Sequence, residues 1–413
     1  MTTAKTTKTK NTKTRTTGWA VARVLRDRDA ALYLAALVVS GFGTSALWLV
    51  SGVWVKDLTG SDGLAALCAF ALWAPTVAGP ALGTLADRFR RRPLLIGIDL
   101  FLAALLPALL VVDSPDGLWL LFTVLLVYGT ASVVHEAAKS ALVASAVAPE
   151  LLGDFNGLRT TAVEGMKLLA PPAGAGLYAA YGGASVAVLD AVTCGCAAVL
   201  YACVRVREGR PEAPTTGWRE RTAQGARRLW RDRGLRPLVL AGAATMLCSG
   251  VNGALIYAVV EDLGRSPAYT GVLYAAQGAG SVVVGLVSGP ALRRLGERRF
   301  AAAGIALTGA AVALRAVPSD AVALVCSAAI GTGLPCVLIA ALTAVQRATP
   351  DRLLGRTAAT ANTLMFAPTA VGMGLGAALV EPTDHRLLLI TAALTLLTTA
   401  ARLFLNRVPA DAT

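Results

Sequence analysis

The sequence predicts an all-α membrane protein of about twelve transmembrane helices, arranged as two pseudo-symmetric six-helix bundles. Three observations predict it. Of 413 residues, 55% are hydrophobic and only 15% charged, with a mean hydropathy of +0.61, which lies outside the range of a soluble domain. The apolar runs are each about 20 residues long, enough for a helix to cross roughly 30 Å of hydrocarbon, and they lack the period-2 alternation of a barrel. The tetrapeptide Gly-Pro-Ala-Leu closes such a run twice, 210 residues apart. It occurs as Gly79 to Leu82 with Leu85, Asp87 and Arg88 beyond, and as Gly289 to Leu292 with Leu295, Glu297 and Arg298 beyond. Half the chain separates the copies, so the bundle is a duplication.

The runs place spans at 30–55, 63–86, 93–112, 117–138, 157–181, 184–204, 237–260, 269–292, 300–317, 320–343, 357–380 and 385–405. The connections carry the orientation. Lys5, Lys8, Lys10, Lys13, Arg15, Arg23, Arg26 and Arg28 precede the first span, and Arg88, Arg90, Arg91 and Arg92 follow the second. Ten arginines fill Arg205 to Arg236, and Arg293, Arg294, Arg298 and Arg299 follow the eighth span. The intervening loops hold Lys56, Arg265 and Arg386, with Arg315 near an end, among Asp57, Asp62, Asp113, Asp116, Glu261, Asp262 and Asp320. By the positive-inside rule both termini and the central loop are cytoplasmic. The net charge of +13 therefore faces anionic lipid, and no nucleic-acid partner is expected.

The resulting division is a cytoplasmic tail at 1–29, an N-terminal bundle at 30–204, a linker at 205–236, a C-terminal bundle at 237–405 and a tail at 406–413. Trp218, Arg221, Leu229 and Trp230 suit part of the linker to an amphipathic helix on the inner leaflet. The start is polar and Thr/Lys-rich, unlike a cleavable signal peptide. All seven cysteines (Cys68, Cys194, Cys196, Cys203, Cys248, Cys326 and Cys336) fall in apolar spans and read as packing residues, so neither a metal nor another cofactor is expected.

A second matched pair supports the duplication. Ser140 to Gly153 and Ala340 to Gly355 share an Ala-Leu start and a Pro-acid step, Pro149-Glu150 and Pro350-Asp351. Each then leads into a span with an Ala-Pro step, Ala170-Pro171 and Ala367-Pro368, followed by glycines. Pro171 and Pro368 with their glycines suit either a rocking bundle or tight packing without motion.

At the second connection the chain reads Gly83-Thr-Leu85-Ala86-Asp87-Arg88-Phe-Arg90-Arg91-Arg92-Pro-Leu94-Leu95. This resembles the signature of the major facilitator superfamily, with Arg90 standing where the superfamily usually has Gly. Gly83 suits a close helix contact, Asp87 can accept from an Arg or a helix N-terminus, and Arg88, Arg91 and Arg92 suit the anionic inner surface. The resemblance implies the major facilitator fold over the whole chain and a charge latch made of these residues. It is closest to the drug-exporter branch that includes macrolide and siderophore efflux proteins, on Ala141-Leu142, Val147, Pro149-Glu150-Leu151-Leu152 and Asn156. The branch's Gly-Pro motif in the fifth span is replaced by Ala170-Pro171-Pro172.

Ionisable groups inside hydrocarbon are costly and so are functional candidates. Glu136 with Lys139 and Glu164 with Lys167 are spaced i,i+3, on one helical face each. If the fourth and fifth spans pack together, as the resemblance implies, the four charges meet in one polar cluster. Glu164 is the first candidate for proton coupling or substrate contact and Glu136 the second, although a static pair satisfies the same physics. His135 and Arg159 lie nearby, with a solvated role expected for His135. The resemblance assigns Asp99 and Asp190 a gating or packing hydrogen bond. The C-terminal half offers almost no buried charge, only Asn252, Gln277, Thr332, Asn362 and Thr363 with Tyr257 and Tyr274, which suits a lipophilic substrate.

These observations point to a secondary transporter in a bacterial inner membrane, exporting a small lipophilic compound in exchange for protons, and the resemblance implies a monomer. An importer of the same fold and a non-transporting receptor or scaffold are the alternatives. No Walker A sequence and no nucleophile-base constellation is present, so neither ATP drive nor an enzyme is expected.

Overall fold

The computed structural model describes residues 24–79, 81–82, 89–146, 152–205, 218–349 and 351–405. The first crossing, α1 (Arg28–Thr59), begins where the Asp27 carboxylate accepts the backbone N–H groups of Asp29 and Ala30, and ends at Gly60 with φ of 72°. After it, α2 (Asp62–Trp73) is capped by Ser61 and tightens at Pro75 into a 3-10 turn, Ala74–Ala78. Proline lacks the N–H that an uninterrupted helix over 63–86 needs. In the third crossing, α3 (Arg91–Leu105) is likewise tightened beside Pro107 into a 3-10 stretch, Leu106–Val111. The first half is completed by α4 (Leu118–Ala146), α5 (Leu152–Tyr181) and α6 (Gly183–Cys203).

The linker contains α7 (Trp218–Arg231), which packs on the second half and buries Leu229 in its core. There α8 (Leu235–Ala254) and α9 (Ile256–Asp262) form one crossing with a break at Leu255. Two crossings share α10 (Thr270–Leu314), which reverses at Gly296, where φ is 73°; a side chain is strained in that conformation. The last three are α11 (Asp320–Ala348), α12 (Asp351–Leu379) and α13 (His385–Leu405).

Among the described residues nine helices are long and apolar enough to cross a membrane. One of them is the doubled α10; α2 is shorter, and α5 is less apolar because of its charges, prolines and glycines. With α10 taken as two crossings and α2 and α5 added, the chain crosses twelve times, and both ends of the bundle's chain lie on one face.

Each half has its own apolar core. Leu102, Leu106, Leu121 and Leu125 centre the first, and Phe300, Ile305, Val337 and Leu389 the second. The halves meet where α5 packs on α10 and α2 packs on α8 and α12. Close approach of α5 and α10 needs glycine: a Cβ at Gly278 would stand 3.0 Å from the Leu168 Cα.

Candidate transport site

Opposite the chain ends, on what we call the distal face, a polar clamp joins the halves. Lys56, at the end of α1, pairs with Glu261 of α9 at 2.5 Å and with Asp62 of its own half at 2.9 Å. Glu381, just past α12, accepts the Ser61 hydroxyl at 2.7 Å and the Gly63 N–H at 3.2 Å. Those hydrogen bonds, Ser61 first, hold the Glu381 carboxyl below its usual value of 4.5. Beneath the clamp lies an apolar plug of Leu49, Val53, Ala65 and Ala175 from the first half against Ile256, Tyr257, Val260, Leu273 and Ala323 from the second. Trp48 and Tyr274 cross the boundary edge to face, with ring centroids 4.8 Å apart.

The first half holds a sealed polar core. Asp99 of α3 stands 3.2 Å from the His135 Nε2 of α4, with side chains 1% and 8% exposed. His135 is therefore buried, not solvated, and packs edge-on against Tyr201. The second Asp99 oxygen has no hydrogen-bond partner among the described residues. Asp190 of α6 is fully buried and accepts the Thr193 hydroxyl at 3.2 Å and the Cys194 thiol at 3.8 Å. A Cβ at Gly43 of α1 would stand 2.3 Å from its Oδ1, so this carboxylate occupies the space a side chain there would fill.

One residue along α4 the environment reverses. Glu136 is 58% exposed and pairs with Lys139 and, at 3.8 Å, with Arg159 of α5. Arg159 thereby joins the fifth span to the fourth, while among the described residues most of the packing of α5 is on α1, α6 and α10. The side chains of Glu164 and Lys167 lie outside the described residues, so the four-charge cluster is described only at Glu136 and Lys139. Pro171, with Pro172, is accommodated inside α5, and Pro368 inside α12.

Of the expected latch, Gly83, Asp87 and Arg88 also lie outside the described residues. Arg90 adopts φ of −63° and ψ of 131°, an extended conformation open to any side chain, and Arg91 starts α3. Arg92 donates to the backbone oxygens of Tyr201 at 3.1 Å and of Ala202, satisfying orphan carbonyls at the end of α6. The second copy of the motif is described. Glu297 accepts from Arg347 at 2.6 Å and Arg298 donates to the Arg233 oxygen at 3.2 Å, so the acid of this copy does bind an arginine.

The second half is not free of buried charge. Arg315, expected near a loop, is 4% exposed; it donates to Asn252 Oδ1 at 3.1 Å and Ser327 Oγ at 2.7 Å. Its long side chain turns back into the bundle from the end of α10, which residue position alone does not reveal.

Two helical bundles in one chain, closed against each other at one face, have the architecture of a membrane transporter. The comparisons give the family: the Major Facilitator Superfamily model matches residues 33–252 and again 238–413, and the chain belongs to that superfamily. It is 25% identical over 244 residues, 57% of its length, to Macrolide efflux protein A of Streptococcus pyogenes. That match spans 60% of the relative. Solved structures share the fold. A bacterial homologue of the iron transporter ferroportin, in an inward-facing state, has a TM-score of 0.72 at 18% identity, covering 92% of this chain and 98% of that one. The nucleoside transporter NupG, as its D323A mutant, has a TM-score of 0.72 at 13% identity, covering 90% and 98%. A POT family transporter with a bound peptide conjugate has 0.74 at 10%, covering 91% and 95%.

Proposed function

We propose that this transporter exports a small lipophilic compound from a bacterial cytoplasm across the inner membrane, by alternating access and in exchange for protons. The observation that carries alternating access is the distal clamp, because Lys56–Glu261 and Glu381–Ser61 join residues that must separate for a path to open on that face. With both termini cytoplasmic the clamp is the outer gate, closed as it would be in an inward-facing state like that of the ferroportin homologue. The similarity to a macrolide efflux protein supports export and an amphipathic cargo.

Proton exchange needs a carboxylate that sees water in one state and loses it in another. Glu136 is the solvated candidate, held by Lys139 and Arg159, and the Asp99–His135 pair lies sealed one residue away. Glu164 and Lys167 stay candidates on α5, beyond Arg159. Gly83, Asp87, Arg88, Arg91 and Arg92 form the inner-face latch in this reading, and the working unit is a monomer.

The test is accumulation in inside-out proteoliposomes of a compound panel that includes a macrolide. Accumulation in an acid lumen supports antiport; exit from the acid lumen with protons supports the importer reading; no movement of any compound under either gradient supports a non-transporting protein.

A further inference from the structure

Where the second half begins and ends, α8 and α13 pack side by side and leave an open groove of about 480 Å³. Three arginines line it: Arg233 and Arg236 at the start of α8, and Arg402 in the last turn of α13. The rest of the wall is nearly all apolar, with Pro237, Leu240 and Ala244 on one side and Leu403 on the other. Leu240 and Ala244 lie about 8 and 14 Å along α8 from its first residue, so the groove runs from headgroup depth into hydrocarbon. Leu240, and Phe404 and Leu405 just past Leu403, are exposed apolar side chains, so lipid borders this surface.

The turn that carries two of these arginines is held from several sides. Asp232 accepts the N–H groups of Gly234 at 2.8 Å and Leu235 at 3.1 Å, and it pairs with Arg228 of α7 at 3.4 Å. Arg298 donates to the Arg233 backbone oxygen at 3.2 Å. The Arg236 guanidinium lies 5.5 Å from the centroid of the Trp230 ring, a neutral partner that orients it without cancelling its charge. The arginine heads are left without anions: among the described residues no carboxylate forms an ion pair with Arg233, Arg236 or Arg402, and Asp232 is engaged elsewhere. Three like charges on one groove repel each other unless an anion enters it.

We propose that this groove binds one anionic phospholipid, with its phosphate among Arg233, Arg236 and Arg402 and an acyl chain along Leu240 and Ala244. A guanidinium donates two parallel hydrogen bonds to phosphate oxygens, and basic pockets between helices at the inner membrane face suit lipid headgroups. A phosphodiester without an amine gains from all three arginines, whereas the ammonium of a zwitterionic headgroup meets the same positive field and is repelled. The apolar wall behind the arginines selects a lipid over a soluble phosphate, which has no chain to lay against Leu240. Bound there, the lipid bridges the start of α8 and the end of α13. The site is separate from the transport reading and requires neither a direction nor a proton gradient.

The test is native mass spectrometry of the purified full chain in detergent, titrated with dioleoyl phosphatidylglycerol or dioleoyl phosphatidylcholine. At about fivefold per arginine beside an anionic headgroup, the first phosphatidylglycerol binds about a hundredfold more tightly than the first phosphatidylcholine. Arg236→Gln and Arg402→Gln each remove about fivefold of that preference, and the triple variant Arg233→Gln, Arg236→Gln, Arg402→Gln binds the two lipids equally. All three side chains are exposed, so these variants fold. Arg227→Gln, which removes an exposed charge of α7 outside the groove, keeps the preference and so separates a built site from the general attraction of a basic surface. Millimolar sn-glycerol 3-phosphate does not displace the lipid. Five outcomes overturn the site: equal binding of the two lipids by the wild type, a preference that survives the triple variant, a loss in Arg227→Gln equal to that in Arg236→Gln, displacement by sn-glycerol 3-phosphate, or a preference that appears only after removal of residues 406–413, which gives the groove to the chain's own tail. Failure of proton exchange in proteoliposomes leaves this result standing, and the two readings fail separately.

Discussion

Neutralising Lys56 by Lys56→Gln is expected to open the distal face. The lysine makes one bond across the boundary, to Glu261 at 2.5 Å, and two within its own half, to Asp62 at 2.9 Å and to the Gly60 backbone oxygen at 2.8 Å. Only the first distinguishes the closed gate from the open one. Glu261 is 65% exposed against 11% for Lys56, so water screens the pair and its contribution is that of a surface bridge, about 0.2–1 kcal/mol. Removing it shifts the open-to-closed ratio by a factor of about 1.5 to 5. Glu261→Gln has the same effect, and the double variant shifts no further than either alone, because both remove one interaction. Asp62→Asn works the other way: it frees Lys56 for Glu261 and leaves the gate as closed or more so. The assay is the distance distribution between spin labels at Thr59→Cys and Thr383→Cys, in a background with the native cysteines replaced. Unchanged distributions for Lys56→Gln and Glu261→Gln, or opening only in Asp62→Asn, refute the reasoning.

Other outcomes follow from the same coordinates. Glu381 has a lowered value, so its closed-state contribution is fully present above 4.5 and is lost only as pH falls through its lower value in the closed gate. The distal distance is therefore flat between about pH 7 and pH 5 on that account, and Glu381→Gln shifts it equally across that range. Asp99→Asn and His135→Gln each lower the thermal midpoint in detergent, by loss of a buried polar contact of about 1–3 kcal/mol, and the double variant costs less than the sum. Gly278→Leu drives a side chain into Leu168, so it reduces transport and widens the distal distance. Glu136→Gln abolishes gradient-driven accumulation while leaving substrate binding in place; accumulation equal to wild type removes Glu136 from coupling, and Glu164→Gln is judged by the same assay.

The helices were legible because hydrocarbon leaves the backbone no alternative to helix, so apolar run length alone marks a crossing. The exceptions have local causes, Pro75 shortening α2 and Gly296 allowing two crossings to run on as one reversed element. The site was less legible. Glu136 and Lys139 are one helical turn apart, so their pairing can be read from spacing, but Asp99 and His135 meet across two helices 36 residues apart, and nothing local encodes that. A usable signal existed: each stands on an apolar stretch without an i±3 or i±4 partner of opposite charge. Lys56, Asp62 and Glu261 look like topology-setting loop charges until the halves are brought together. Arg315 misleads for a different reason, since a long side chain places its charge well away from its backbone.

The central claim is that cargo and protons move in opposite directions through one protein. It is tested most directly by luminal pH in inside-out proteoliposomes carrying a trapped pH dye and an imposed acid lumen. Addition of a compound that accumulates in these vesicles is expected to raise luminal pH at once, and Glu136→Gln vesicles to show no rise. Accumulation of the compound with luminal pH unchanged contradicts the account.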